Sequence, residues 1–274
     1  MVNSIARWRL LGHSLFAAAA LVVGLSGCTA PGGPSGAGLG PEVVTPSDEP
    51  DVRRRARIRL ELAVSYFETG QAAVALDEVK QALVTDPTYA DAYNLRGLIY
   101  MRLNDNALAE ESFRRALGLR SADPNILHNY AWLLCQQQKY AEADQHFVRV
   151  LANPVYAARS KTLMAQGLCQ ARAGRNDQAE QTLLRAYELD AGNPMVAYNL
   201  AGLQFRRGEL TRAQFYIRRL NNSDLANAES LWLGVKVERA LGDSVAMRQL
   251  AAQLRNRFPE SREASAYERE AFNE

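Results

Sequence analysis

Small residues recur at two fixed positions in the hydrophobic pattern of residues 53–259, and helical runs of apolar residues fill the intervals. The first series advances in steps of 34, 34, 36, 34 and 33 residues: Ala75, Ala109, Ala143, Ala179, Ala213 and Ala246. A second small residue stands twelve positions before each of these: Ala63, Gly97, Ala131, Gly167, Ala201 and Gly234. A fixed period of this length predicts a stack of similar helical units.

This period is that of the tetratricopeptide repeat, in which two antiparallel helices approach closely where both carry small side chains. Proline cannot continue a helix, and several prolines mark the ends of units: Pro87, Pro124, Pro154, Pro194 and Pro259. The sequence therefore predicts an all-α fold, a superhelical array of about six helix-turn-helix repeats. The repeats are predicted within residues 53–259, at about 56–89, 90–123, 124–157, 160–193, 194–226 and 227–259, followed by a C-terminal helix at 260–274.

The N-terminal residues have the pattern of an export signal. Arg7 and Arg9 precede a largely apolar run from Leu10 to Leu25, which is short and rich in alanine. This pattern predicts a signal peptide over residues 1–27 and no membrane span. Because Arg7 and Arg9 are its only charged residues, its removal leaves 30 of the 32 basic side chains against 30 acidic ones. A neutral mature chain gives no electrostatic reason to expect nucleic-acid binding.

The end of the apolar run, Leu25-Ser26-Gly27-Cys28, resembles the bacterial lipobox, in which the cysteine receives a lipid and becomes the mature N-terminus. The alternative is an ordinary signal peptide cut near the same place. Residues 28–52 are predicted to be the lipidated cysteine and a tether, since they are rich in proline and glycine and have no helical period. Thr29 stands where an Asp would usually retain a lipoprotein in the inner membrane, which implies a lipid anchor in the outer membrane, on its periplasmic face. Apart from this lipid, no cofactor is expected.

The stretch His128–Phe147 contains two histidines, Cys135 and Asp144, the residue types of a nucleophile with a base and an orienting carboxylate. It also contains Ala131 and Ala143, the two small residues of the third repeat, so the repeat explains the stretch without chemistry. The chain has no HExxH, CxxC or GxSxG motif. We therefore expect neither an enzyme nor a metal site.

Cys135 and Cys169 lie 34 residues apart, on the predicted first helices of the third and fourth repeats. First helices of consecutive repeats pack side by side, which could bring the two Cα atoms within the roughly 4.4–6.8 Å of a disulfide. Because an exported chain enters an oxidising compartment, we predict that the two cysteines are bridged. The alternative is a pair of buried free thiols.

The first helices of such an array line its inner surface, where a partner would bind. The residues predicted to form this groove are mostly apolar: Leu60, Val64, Phe67, Asn94, Leu98, Met101 and Trp132. Such a strip suits a helix or an extended apolar peptide of another protein. The alternative is that residues 260–274 or the N-terminal tether cover it. Five arginines between Arg53 and Arg59 would form a solvated face or contact anionic groups.

The lipobox, the Pro/Gly-rich tether, the six repeats and the stretch NYAWLLCQQQKYAEADQHF together resemble the PilF/PilW family of type IV pilus biogenesis lipoproteins. Members of this family are pilotins, which escort the secretin subunit to the outer membrane and promote its assembly into a ring. The resemblance implies that this chain binds the secretin, supports its localisation and multimerisation, and is needed for pilus biogenesis and twitching motility. The alternative is a scaffold for outer-membrane barrel assembly or for cell-wall enzymes.

Overall fold

The computed structural model describes residues 48–272, and the regular secondary structure in this range is helical. It comprises thirteen helices: α1 (Asp51–Glu68), α2 (Ala72–Thr85), α3 (Ala90–Arg102), α4 (Asn106–Leu119), α5 (Pro124–Gln136), α6 (Tyr140–Leu151), α7 (Arg159–Arg172), α8 (Asn176–Leu189), α9 (Pro194–Arg206), α10 (Leu210–Asn221), α11 (Ala228–Leu241), α12 (Ser244–Arg257) and α13 (Arg262–Glu268). The predicted all-α fold is confirmed. The predicted signal peptide, Cys28 and nearly all of the tether lie outside the described residues.

Consecutive helices form hairpins, from α1 with α2 to α11 with α12. The first helices of the hairpins (α1, α3, α5, α7, α9 and α11) also contact one another in order, whereas within residues 48–272 no second helix contacts the next second helix. Each second helix instead packs against the first helices of its own hairpin and the next. The first helices therefore form the inner layer of the stack.

The two series of small residues lie where the helices of a hairpin approach closely. Five of the six alanines on second helices have no exposed surface: Ala75, Ala109, Ala143, Ala179 and Ala213. A Cβ atom added at Gly97 would lie 2.7 Å from the Phe113 ring, and one at Gly167 would lie 2.7 Å from Leu183 Cγ. A small residue on the first helix thus makes room for a large one on the second. Ala246 is only half-buried, since no further hairpin follows α12 in the described chain.

Every hairpin turn contains one residue with a left-handed backbone, at the same position in the first five repeats and one residue later in the sixth. These residues are Gly70 (φ 83°), Asn104 (60°), Gln138 (62°), Gly174 (76°), Gly208 (76°) and Gly242 (79°). A left-handed residue after the last helical turn ends a helix and redirects the chain, and glycine adopts this conformation without steric cost. Asn104 and Gln138 adopt it at a cost, because their Cβ atoms crowd the backbone.

The helix bounds differ from the predicted bounds mainly at the two ends. Helix α1 begins at Asp51, before the first predicted repeat at about 56, and α13 covers only Arg262–Glu268 of the predicted 260–274. The linker 152–158, between α6 and α7, is the longest between consecutive hairpins. No helix in residues 48–272 combines the length and hydrophobicity that a membrane crossing requires.

Candidate partner-binding groove

The residues predicted to line the groove lie on α1, α3 and α5, the first three helices of the inner layer. Phe67, Leu98, Met101 and Trp132 are half-buried, so each packs against the core and exposes part of its side chain. Val64 is 37% exposed. We call these five residues the apolar strip.

Two other residues predicted for the groove have different surroundings. Leu60 is 8% exposed and belongs to the core cluster that joins α1 to α3, so it offers little surface to a partner. The prediction is corrected at this position, because the side chain packs between neighbouring helices and not on the surface of the inner layer. Asn94 is half-buried and its side-chain oxygen accepts a hydrogen bond of 3.0 Å from Asn129 Nδ2. This bond ties α3 to α5.

Cys135 and Cys169 form a disulfide, as hypothesised from their spacing. Their Cα atoms are 5.7 Å apart, and the bond joins α5 to α7, the first helices of consecutive hairpins. Both residues are 1% exposed. Neither sulfur is therefore a free nucleophile.

Two residues that this stretch offers as a base and an orienting carboxylate, His128 and Asp144, are engaged in structural contacts. His128 Nδ1 lies 2.9 Å from Thr162 Oγ1, and burial lowers the pKa of His128 to about 4, with the charge of Lys161 adding to the shift. Asp144 accepts a hydrogen bond of 2.8 Å from Gln166 Nε2. Within residues 48–272, no group of three or more His, Cys, Asp and Glu side chains could hold a metal ion.

The arginine cluster at the start of α1 is largely neutralised by carboxylates of the chain. The ion pairs are Arg53 with Asp86, Arg54 with Asp51, Arg57 with Glu49 and Glu61, and Arg59 with Glu78. Four of the five arginines thus have an acidic neighbour. This arrangement favours a solvated face over a site for anionic head groups.

The opposite end of the inner layer is covered by the chain itself. Helix α13 packs on α11 and α12 and contacts no other described helix. Phe272 stacks on Trp232 with ring centroids 5.3 Å apart, and Tyr267 meets the Trp232 ring edge-on at 6.5 Å. Trp232 is consequently 7% exposed. The tail therefore covers the last first helix, whereas α13 does not contact the helices that carry the apolar strip.

Sequence reasoning missed two residues that border the strip. The Cζ atom of Arg172 lies 5.0 Å from the centre of the Trp132 ring, and that of Arg102 lies 5.6 Å from the centre of the Phe67 ring. Both arginines stand in the last turn of a first helix. This shared position within the repeat is the signal that could have identified them.

Known proteins share both sequence and fold with this chain. The tetratricopeptide repeat family model matches residues 60–124 and 131–194. The type IV pilus assembly protein PilF of Pseudomonas aeruginosa is 27% identical over 251 residues, which cover 91% of this chain and 96% of that protein. The crystal structure of PilW, described as a widely conserved type IV pilus biogenesis factor, is 30% identical with a TM-score of 0.72, and the match covers 78% of this chain and 98% of that one. A structure of Pseudomonas aeruginosa PilF is 27% identical with a TM-score of 0.68, covering 80% and 99%.

Proposed function

The chain belongs to the PilF/PilW family of tetratricopeptide-repeat proteins of type IV pilus assembly, and we propose that it is a pilotin, which binds the subunit of the pilus secretin. The family consists of scaffolds and not of enzymes, so the work of the protein is binding. In this proposal the apolar strip holds the secretin subunit. A lipid on Cys28, which lies outside the described residues, anchors the complex in the inner leaflet of the outer membrane.

The observation that carries the proposal is an apolar surface that no described part of the chain covers. Five large apolar side chains stay partly exposed on three consecutive first helices. Leaving such area in water forgoes about 25 cal/mol for every Å² that a partner could bury. Exposed apolar area on neighbouring first helices is typical of an interaction site. The α-helical groove of a repeat array suits an apolar polypeptide segment.

The strip would then bind an apolar segment of the partner until the partner assembles. An apolar segment of an unassembled secretin subunit is prone to aggregation while its own contacts are unmade. Binding to the strip removes that segment from water, and the ring contacts of neighbouring subunits later replace the strip. The pilotin thereby promotes both the localisation and the multimerisation of the secretin.

Charge placed in the strip tests this proposal. The Phe67→Asp and Leu98→Asp double variant of the full lipoprotein should no longer co-purify with the secretin from detergent-solubilised membranes, because burying carboxylates against an apolar segment is unfavourable. Phe215→Asp is the matched control, since Phe215 is 59% exposed on the second helix α10. Circular dichroism should show unchanged helicity in all three proteins. Undiminished secretin capture by the double variant would reject the strip as the binding surface.

Deletion of the gene separates the pilotin from a scaffold for barrel assembly or cell-wall enzymes. Stranded secretin monomers with lost twitching support the pilotin, whereas normal pili with a defective envelope support the alternative. The lipid has its own test in Cys28→Ser. This variant should still bind the secretin but leave it outside the outer membrane, as membrane fractionation would reveal.

A further inference from the structure

Four first helices carry an arginine at the same position of the repeat, in the last helical turn. Each stands five residues after the first small residue of its repeat: Arg102, Arg172, Arg206 and Arg239. We call these residues the arginine row. Among residues 48–272, no carboxylate lies within ion-pair distance of any of the four, whereas the neighbouring Arg207 pairs with Asp177 and Glu209 at 2.7 Å each.

The first two members of the row border the apolar strip. Arg102 lies over the ring of Phe67, and Arg172 lies over the ring of Trp132. A guanidinium group that rests on an aromatic face keeps its N–H donors at the edge of the plane, where they are available to a carboxylate. The apolar strip is therefore flanked by cations that have no partner carboxylate in the described chain.

The third member lines a cavity on the same layer of helices. Arg206 borders a space of about 190 Å³ together with Tyr198, Phe205 and Leu233. Lys236 is the other charged side chain that lines this space. The combination of aromatic rings and cations is thus repeated beyond the strip.

The fourth member shows what kind of segment fits beside such an arginine. The Cζ atom of Arg239 lies 3.8 Å from the centre of the Phe272 ring, which stacks on Trp232. The tail around this ring reads YEREAF, in which two aromatic residues enclose Glu268, Arg269 and Glu270. Glu268 and Glu270 line one cavity with Arg239, Arg255 and Phe272, and Glu268 forms an ion pair of 3.9 Å with Arg255. The chain's own tail is therefore an acidic and apolar segment seated between a tryptophan and an arginine of the row.

From this arrangement we infer that the arginine row selects a partner segment in which Asp or Glu residues flank the apolar ones. The inference rests on the proposed function of the strip and adds the charge of the segment that it binds. Carboxylates suit the row because the planar guanidinium donates two parallel hydrogen bonds to them. An arginine in the last turn also stabilises its helix through a favourable interaction with the helix dipole. The test must therefore measure binding and not stability alone.

Peptides that differ only in charge test the inference. Full-length lipidated protein in detergent is titrated with three labelled peptides that share one Leu/Phe core and carry Glu, Gln or Lys flanks. The Glu peptide should bind about three- to tenfold more tightly than the Gln peptide at low salt, since it can form two additional exposed charge pairs. The double variant Arg102→Gln and Arg172→Gln should lose this preference. The control is Arg185→Gln with Arg248→Gln, which changes two exposed arginines of second helices that form no ion pair in the described range.

The other outcomes separate this inference from the proposed function. Equal binding of the Glu and Gln peptides would overturn the inference and leave the apolar strip in place as a binding surface. Failure of every peptide to bind would count against both. Loss in the double variant of binding to phosphatidylglycerol vesicles, with no preference among the peptides, would also overturn the inference, because the row would then contact a membrane.

Discussion

Two tryptophans on the inner layer have opposite surroundings. Trp232 on α11 lies under Phe272 and Tyr267 and is 7% exposed, whereas Trp132 on α5 is half-buried with Arg172 over its ring. Trp232 lies on α11, which carries Arg239 of the arginine row, and Trp132 lies beneath Arg172 of the same row. The comparison shows that the same layer of the repeat serves as core where the chain supplies its own segment. Where residues 48–272 supply no such segment, the layer keeps exposed apolar area, which is the surface that we propose for a partner.

Removal of each tryptophan tests this comparison with the largest expected effect. Trp232→Ala should lower the free energy of unfolding by about 3–5 kcal/mol, because it leaves a cavity beneath the tail. Trp132→Ala removes a half-buried ring and should cost about 1 kcal/mol, yet it should weaken partner binding. Urea unfolding of both variants, followed by circular dichroism, measures the difference. Equal losses of stability would show that the surroundings of the two tryptophans do not differ as described.

Buried charge gives a second comparison between α11 with its tail, the covered end, and the hairpins that carry the apolar strip, the open region. The Glu238 side chain is fully buried, with Oε1 2.6 Å from Arg218 Nε and Oε2 2.8 Å from Gln214 Nε2. Glu238→Gln should cost about 3 kcal/mol, since one donor in the buried site loses its acceptor. Asp144 on the second helix α6, a carboxylate nearer the strip, is 26% exposed, so Asp144→Asn should cost about 1 kcal/mol or less. Denaturant titration at neutral pH checks the ratio, and a larger loss for Asp144→Asn would contradict the assignment.

The pH dependence of stability reports on the third hairpin, within the open region. Burial lowers the pKa of His128 to about 4, whereas in the unfolded chain it is near its model value of 6.5. As the pH falls below 6.5, the unfolded chain gains a proton that folded His128 does not bind until about pH 4, so stability decreases. The total loss over this window should be about 3 kcal/mol. His128→Asn should flatten the curve between pH 6.5 and 4.5, and an unchanged slope would assign the effect to other groups.

The smallest predicted effect concerns the hairpin turns. The covered end has Gly242 at the left-handed position with φ 79°, whereas the third hairpin has Gln138 with φ 62°. Gln138→Gly should stabilise the protein by about 1 kcal/mol, because glycine removes the steric cost of the left-handed backbone. Thermal unfolding measures this gain. A loss of stability would mean that the Gln138 side chain makes contacts that outweigh the strain.

The sequence was sufficient for the helices and their pairing, because close approach of two helices restricts Gly97 and its equivalents to small residues. It was not sufficient for Leu60, whose position faces both the inner surface and the next helix. Burial at such a position depends on how neighbouring side chains fill the space between α1 and α3. Glutamate is usually exposed, so its type predicts a surface position for Glu238. Its burial depends on Gln214 and Arg218 of the preceding hairpin.

The apolar strip was largely predictable, since a constant position within the repeat places a residue on a constant face. The row of arginines was also visible in the spacing, but an overall charge balance conceals a local excess of cations. The packing of the C-terminal tail on Trp232 was not predictable from the repeat period or from composition. Trp232 and Phe272 are 40 residues apart, and Phe272 lies beyond the last repeat, so no recurring position identifies their contact.

The bond between Cys135 and Cys169 has a consequence for how the array comes apart. In a stack where each hairpin contacts only its neighbours, separation can begin at any junction. The longest linker, 152–158, lies at the junction that this bond crosses. The covalent link therefore prevents the two halves from dissociating there and couples their melting. Oxidised protein should melt in one transition, and a reductant should allow the halves to melt separately.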